Sequence, residues 1–541
     1  MADVSSLLRR SLPRLLPFLA WLPELRNAQT LRADLIAGVT VALVLIPQSM
    51  AYAQLAGLPA YYGLYAGFLP PMVAALFGSS RQLATGPVAV VSLLTAAALA
   101  PIAASGTQGY IAYAIALSLL VGLFQLALGL LRLGVVVNFL SHPVIVGFTN
   151  AAAIIIATSQ LDKIFGVRVE KAEHHYETVW NTIAAAASQT HWPTLAMAVG
   201  AFTIMIVLRR FQPRWPNVLI AVALTTLISW LTQFERLATV SLEQIQSEAV
   251  QAVLREELAL KQEIPALDKA IAAAEKKYRD TFARYGTDDP RTLLAQHSYD
   301  TLKLKRQRRI ASIKADIEEI KKSRFDRVPG EAGTPDQFYL RGHAPEGLAT
   351  DGRSWRVRTV GDETMVLNGG GNVVGNVPAG LPRFALPTFD LSVMLQLLSA
   401  AITISLIGFM EAVSIAKAMA TRTRQKLDAN QELIGQGIGN IVGSLTQSYP
   451  TSGSFSRSAV NINAGAITGF SSVVTGVLVL LTLLWLTPLL YHLPQGTLAA
   501  VIMMAVIGLI NFKAVVHAWR ANRHDGIVAV VSFVLTLAFA P

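Results

Sequence analysis

The 541-residue chain contains no cysteine, which excludes a disulfide framework, a thiol nucleophile and any cysteine-based metal site. It is also poor in charge: Asp, Glu, Lys and Arg make up 15% of it against 53% hydrophobic residues, too apolar a balance for a soluble domain of this length. Histidines are few and show no metal-ligand spacing, His174 and His175 being an isolated pair that reads as solvated loop. Neither an enzyme nor a cofactor- or metal-dependent protein is expected, since no nucleophile and base fall into a catalytic pattern. A formal net charge of +11 would suggest nucleic acid in a soluble protein. Here Lys and Arg gather in short loops between apolar blocks and in one long hydrophilic segment, so they are read as setting membrane orientation, with no nucleic-acid partner. Arg9, Arg10 and Arg14 surround a short Pro-interrupted apolar stretch without the pattern of a cleavable signal, and insertion is expected to rely on the spans themselves.

What the sequence does have is apolar blocks able to cross roughly 30 Å of hydrocarbon as helices of about 20 residues. Clear blocks lie at 35–53, 60–78, 111–131, 135–159, 194–208, 216–232, 391–410, 470–490, 496–512 and 525–540, with weaker ones at 85–102, 433–447 and 456–468. With a cytoplasmic N-terminus and one crossing per block, the loops bearing Arg81, Arg132, Arg209, Arg210, Arg214, Lys417, Arg422, Arg424, Lys426, Lys513, Arg520 and Arg523 fall inside. Short outward connections such as 491–495 carry almost no Lys or Arg, the matching half of that asymmetry. The expected organisation is a multi-pass protein of the cell inner (plasma) membrane: a cytoplasmic segment 1–31, a first transmembrane repeat 32–232, an external hydrophilic insert 233–384 and a second, incomplete repeat 385–541.

Within the insert, Ser241 to Phe325 reads as two helices meeting at Tyr285-Gly286-Thr287-Asp288-Asp289-Pro290. Near-heptad apolar positions, Leu258, Leu267, Ile271, Ala274 and Tyr278 against Ile310, Ile313, Ile317 and Ile320, predict a coiled-coil hairpin. It is read as a self-contained decoration of a tolerant loop, with subunit contact as the functional alternative. Trp355 to Val360 and Thr364 to Leu367, either side of Gly361-Asp362, predict a small β-hairpin.

Membrane carriers commonly oppose two broken helices whose N-termini offer free N–H groups and positive dipole ends to an anion. Thr85-Gly86-Pro87-Val88-Ala89-Val90-Val91-Ser92 opens one such segment and Tyr449-Pro450-Thr451-Ser452-Gly453-Ser454-Phe455-Ser456-Arg457 the other, one in each half of the transmembrane sequence. Gly and Pro also serve kinks and tight packing in membrane helices, so the pair carries the signal and neither segment alone. Arg457, just inside an apolar half-helix, faces a bound anion, water or a counter-charge, or else snorkels to an interface. Glu411, after the apolar run Leu397 to Met410, is a proton-carrier candidate; pairing with Arg457 or capping a neighbouring helix is its structural alternative. Gln48 and Tyr52, a helical turn apart after Pro47, share a polar face suited equally to substrate and to interhelical hydrogen bonds.

Pro59-Ala60-Tyr61-Tyr62-Gly63-Leu64-Tyr65, continuing through Phe77-Gly78-Ser79-Ser80-Arg81 to Gly86-Pro87-Val88-Ala89-Val90, resembles the signature of the SulP sulfate permease family, solute carrier family 26 in animals. Asp34-Leu35-Ile36-Ala37-Gly38, Ile46-Pro47-Gln48-Ser49-Met50-Ala51-Tyr52, Val374 to Pro382, Gly408-Phe409-Met410-Glu411-Ala412 and Ser454-Phe455-Ser456-Arg457-Ser458 extend the resemblance. It implies an all-α membrane protein of two inverted seven-helix repeats with core and gate domains, usually dimeric, moving as an elevator. It also implies an anion site formed by Gln48, Tyr52, the Ala89 and Val90 backbone, Ser454, Phe455, Ser456 and Arg457, with Glu411 at the position linked to proton coupling. The last helix and the family's STAS domain are expected to be missing here, and the long external insert is atypical. The leading expectation is proton-coupled sulfate uptake. Sodium- or proton-driven bicarbonate or dicarboxylate transport is the alternative, with an anion channel or exchanger as a further class.

Overall fold

The computed structural model describes residues 16–103, 105–134, 142–169, 172, 174–212, 215–330, 334–345, 347–360, 364–387, 391–508 and 510–538. Arg9, Arg10, Arg14, Arg214, Gly361, Asp362 and the side chains of Leu258 and Ile313 lie outside them. Two compact units result, one of 1–232 with 373–541 and one of Gln233–Asn372.

In the first half of the larger unit two short helical turns, Phe18–Trp21 and Leu22–Arg26, lead into α1 (Ala28–Leu55), capped by Asn27, whose side chain accepts from Gln29 N at 2.9 Å. Then come α2 (Tyr61–Phe77), the two-residue strand β1 (Thr85–Gly86), α3 (Ala89–Leu99), α4 (Gln108–Leu130), α5 (His142–Thr158), the shorter helices Leu161–Phe165 and His175–Gln189, α6 (Trp192–Phe211) and α7 (Asn217–Leu231). His175 is therefore not the solvated loop residue expected: it opens a helix with Nε2 2.7 Å from Thr158 Oγ1. The weak block at 85–102 is therefore no full span: α3 has 11 residues, half of what a crossing needs.

The smaller unit departs from the expectation of helices starting at Ser241 and ending at Phe325. Its strand β2 (Leu237–Ser241) precedes α8 (Glu248–Tyr285) and α9 (Pro290–Lys322), and β3 (Arg324–Val328), β4 (Gln337–Leu340), β5 (Trp355–Val360) and β6 (Thr364–Asn368) follow. Gly286 at φ 80° ends α8, and Asp289 caps α9 by accepting from Arg291 N at 2.8 Å, with Pro290 at its first position. The helices pack as an antiparallel pair, cross-linked by Arg306 to Asp268 at 2.7 Å and by stacked Tyr278 and Tyr299. In place of a lone hairpin, an antiparallel sheet of order β2-β6-β5-β3-β4 buries Phe325, Phe338, Trp355, Met365 and Leu367 beneath Val250, Leu254 and Ile320 of the helices. Across the strands Arg324 pairs Arg356 and accepts at its carbonyl from Arg341 N; burial first, then Arg324 and Arg341, pushes Arg356 down to about 10.

The second half contains α10 (Leu391–Thr423), α11 (Ala429–Leu445), the strand β7 (Ser452–Gly453), α12 (Phe455–Asn463), α13 (Phe470–Leu481), α14 (Gln495–Ile507), α15 (Phe512–Ala521) and α16 (Arg523–Ala538). α10 outlasts its apolar run, so Lys417 and Arg422 lie on the helix and not in a loop, and Glu411 lies well inside it. Among the described residues six helical stretches are long and apolar enough to cross a membrane. Large apolar side chains point outward from such helices, Trp485 at 68% and Val199 at 54% exposed, while Ser118, Gln125, Asn440 and Thr475 are buried. That arrangement suits a hydrocarbon surround and a hydrogen-bonded interior. Small residues bring α11 to backbone contact on two sides: a Cβ on Gly437 would lie 2.6 Å from Leu126 N of α4, and one on Gly435 2.6 Å from Gly78 N after α2.

Candidate anion site

β1 and β7 come from opposite halves of the chain and pair antiparallel, Thr85 opposite Gly453 and Gly86 opposite Ser452. Ser454 N donates to Ala84 O at 2.9 Å and Ala84 N to Ser458 Oγ at 2.9 Å, extending the crossing by a residue. Because the strands are antiparallel and each runs within a few residues into its half-helix, α3 and α12 leave the crossing at opposite ends with their N-termini against it.

At α3 the cap Val88 is extended and offers no side-chain acceptor, and the first helical bond is Ser92 N to Val88 O at 3.0 Å. The N–H groups of Ala89, Val90 and Val91 are thus left without intrahelical partners. At α12 Ser454 is the cap, its hydroxyl accepting weakly from Arg457 N at 3.5 Å, and Phe455 and Ser456 occupy the first two positions. Phe455 is 55% exposed and Ser456 is exposed, whereas Ser454 is buried.

Arg457 is fully buried, and Nε, Nη1 and Nη2 have no hydrogen-bond partner in the protein. Its guanidinium reaches back to β1, where a Cβ on Gly86 would stand 3.3 Å from Nη2. No carboxylate lies within ion-pair distance of it among the described residues, which removes direct pairing with Glu411 as the explanation for either group. Arg457 remains within electrostatic reach of Tyr52, Tyr449 and Glu411. Gln48 and Tyr52 are both buried on α1, and Gln48 Oε1 lacks a partner. Glu411 sits on α10 beside β7: Ser452 Oγ donates to Gly408 O at 2.7 Å, and Gly453 abuts Ala412. Its Oε2 is buried without a partner.

The structure thus brings Arg457, Tyr52, Glu411 and the two half-helix N-termini around one crossing, with Gln48 a turn before Tyr52. It adds Tyr449, whose hydroxyl lies 3.3 Å from Ser92 Oγ, and Gly86, neither of which was singled out as a site residue. Gly86 was detectable as the residue at the mouth of a half-helix with no side chain to block it.

A family model described as the sulfate permease family matches residues 31–273 and 362–532. The chain belongs to this family. Among curated sulfate permease relatives, "Probable sulfate transporter 4.2" of Arabidopsis thaliana is 33% identical over 97% of this chain, and "Sodium-independent sulfate anion transporter" of Bos taurus is 29% identical over 96%. The chain spans 58% of the length of the first and 68% of the second. The fold is shared with the murine solute carrier 26 family member A9 anion transporter in its inward-facing state, TM-score 0.67 at 20% identity, covering 97% of this chain and 68% of that one. It is also shared with the transmembrane domain of the cyanobacterial bicarbonate transporter BicA, TM-score 0.60 at 20% identity, covering 94% and 96%.

Proposed function

We propose that this protein is a secondary active carrier of a small oxyanion, sulfate before bicarbonate, which it takes up with a proton. The observation that carries the reading is Arg457: a fully buried guanidinium with no protein partner, set against two helix N-termini. A buried charge left alone costs several kcal/mol, and an anion offsets that cost while accepting from the guanidinium and the free N–H groups. Gln48, Tyr52, Ser454, Phe455 and Ser456 line the anion, with the backbone of Ala89 and Val90. Sulfate stands first because the curated relatives carry that name, and bicarbonate second because BicA shares the fold. Glu411 is the proton carrier, supported by its unpartnered Oε2 and its place on the helix that braces β7. In this reading the core domain, which holds the crossing of the two repeats, moves against the gate domain as an elevator in a plasma-membrane homodimer. Purified protein in liposomes, offered sulfate, bicarbonate, fumarate and chloride with and without proton and sodium gradients, tests it. Sulfate accumulation driven by an inward proton gradient is the expected result, and accumulation of none of the four overturns the carrier reading.

Gly86→Ala gives a first test of the geometry. Gly86 has φ 142°, where side chains are strained by about 1–3 kcal/mol, and the new methyl presses on Arg457 Nη2. Half-saturation for sulfate is expected to rise by about thirtyfold if the middle of that range, about 2 kcal/mol, is lost from binding, in protein that still inserts. A concentration dependence equal to wild type would separate Gly86 from the site.

The second unit is proposed to lie outside and to be dispensable for the transport step, on the strength of the Lys and Arg asymmetry of the loops. Cysteine introduced at Gly286 is expected to react with an impermeant thiol reagent in intact cells; labelling only after lysis reverses the topology. The two ends of this unit lie side by side, Gly371 N donating to Phe234 O at 2.9 Å, so a short linker can replace what lies between. Uptake is expected to survive that deletion, and complete loss in a variant that inserts normally would give the unit a part in transport.

A further inference from the structure

Three polar residues recur every fourth position on α11, and each is buried: Glu432 at 2%, Gln436 at 1% and Asn440 at 0% exposure. Spacing of four puts them in one row along a single helix face. Each grips a different part of the two discontinuous segments. Glu432 Oε2 accepts from Ser79 N and Ser80 N, both at 3.0 Å, in the approach to β1. Gln436 Nε2 donates to Thr85 Oγ1 at 2.8 Å, in β1 itself. Asn440 uses all of its hydrogen-bonding capacity: Oδ1 accepts from Thr451 N at 2.8 Å and Thr451 Oγ1 at 3.0 Å, while Nδ2 donates to Thr451 O at 3.1 Å and to Gln125 Oε1 of α4 at 3.0 Å. Thr451 is the residue before β7, so its peptide groups are clamped as a neighbouring strand would clamp them.

The crossing needs such support. A ladder of two residues per strand is far shorter than one that holds itself together. It also lies between two positive dipole ends and the Arg457 cation, like-signed groups that push it apart. Sliding β7 by a single residue would turn its side chains to the other face and carry the cap of α12, with Arg457, out of register. α11 can resist this because its glycines seat it at backbone contact against α4 and the end of α2.

We propose that Gln436 and Asn440 are positioning residues of the anion site: from behind the crossing they fix the register of β1 against β7, and with it the spacing of the two half-helix N-termini that selects anions by size. The proposal rests on the anion-carrier reading above. It separates these residues from mere packing, because a packing role affects how much folded protein is made, whereas a positioning role alters what the folded protein prefers.

The test is to measure affinity for sulfate and for chloride by titration of purified full-length protein, with monodispersity and thermal midpoint recorded for each variant. Asn440→Ala removes all four bonds and is expected to weaken sulfate binding by at least tenfold, with a smaller change for chloride, so that the preference collapses. Asn440→Asp is expected to be worse, since it sets an oxygen against Thr451 O and Gln125 Oε1. Thr85→Val and Thr451→Val each delete one hydroxyl contact in nearly constant volume and are expected to lower the sulfate-to-chloride preference about threefold to fivefold. These two decide the matter if Asn440 variants fail to insert. Unchanged preference in both valine variants, with or without a lower thermal midpoint, overturns the positioning role and leaves the anion site standing. A wild-type protein that binds neither anion overturns the carrier reading and this proposal with it.

Discussion

Arg457→Ala is expected to abolish high-affinity sulfate uptake in protein that still reaches the membrane. Among the described residues Arg457 is the one buried side-chain cation, and hydrogen bonds to charged groups contribute about 1.5–3 kcal/mol each, so losing two weakens binding by roughly a hundredfold or more. Folding is expected to respond in the opposite sense. Arg457 has no protein partner to orphan, and its removal relieves a buried charge, so thermal stability without anion should be equal to wild type or higher. Added sulfate should raise the thermal midpoint of wild type and leave that of the variant unchanged. Arg457→Lys keeps the charge and loses the planar fork, and is expected to fall between the two. Wild-type affinity in the alanine variant would remove Arg457 from the site, and a variant that fails to insert would make it structural.

Glu411→Gln is expected to uncouple uptake from the proton gradient while sparing anion binding. Glutamine imitates the protonated carboxyl in shape and charge, so the site is left in its anion-accepting form. What is lost is the proton that would accompany the anion. Each pH unit of gradient stores about 1.4 kcal/mol per proton, so the variant gives up as much as about tenfold of sulfate accumulation per unit. Exchange of internal for external sulfate requires no net proton movement and should continue at a rate close to wild type. Comparing both fluxes in the same liposomes, at acidic and at alkaline external pH, checks the assignment. If the variant keeps the wild-type response of net uptake to the gradient, Glu411 is a structural residue and the coupling ion acts elsewhere.

The contrast between these two residues shows what can be read from a sequence such as this. An arginine three residues into a Gly/Ser/Pro-opened apolar segment is conspicuous, because helix openings use a small set of residue types and charge within such segments is rare. The strands that join the two openings are not conspicuous. A ladder of two residues per strand has no period to detect, and Thr85 and Gly453 are separated by about two thirds of the chain. The row Glu432, Gln436, Asn440 is hidden for a related reason: Gln436 and Asn440 lower the hydropathy of 433–447 and make it look like a poor span, with Glu432 just before it, although spacing of four marks a polar face. In the smaller unit the long helices around Gly286 follow from heptad spacing and a turn, both local signals. The sheet does not, since β2 pairs β6 across more than a hundred residues and charged residues break up its short strands, Arg356 and Arg358 in β5 and Asp326 and Arg327 in β3. Composition puts Glu411 just after an apolar run, whereas the helix continues twelve residues past it, and only the fold shows that no ion pair joins it to Arg457.

The most direct measurement of the central claim is binding of sulfate to purified full-length protein, by isothermal titration, for wild type and Arg457→Ala at the same pH and ionic strength. The account predicts saturable binding to wild type that bicarbonate displaces, and no detectable heat from the alanine variant despite an intact, monodisperse fold. Equal sulfate binding by the two proteins would contradict it, because the anion would then be held without the buried guanidinium around which the crossing is built.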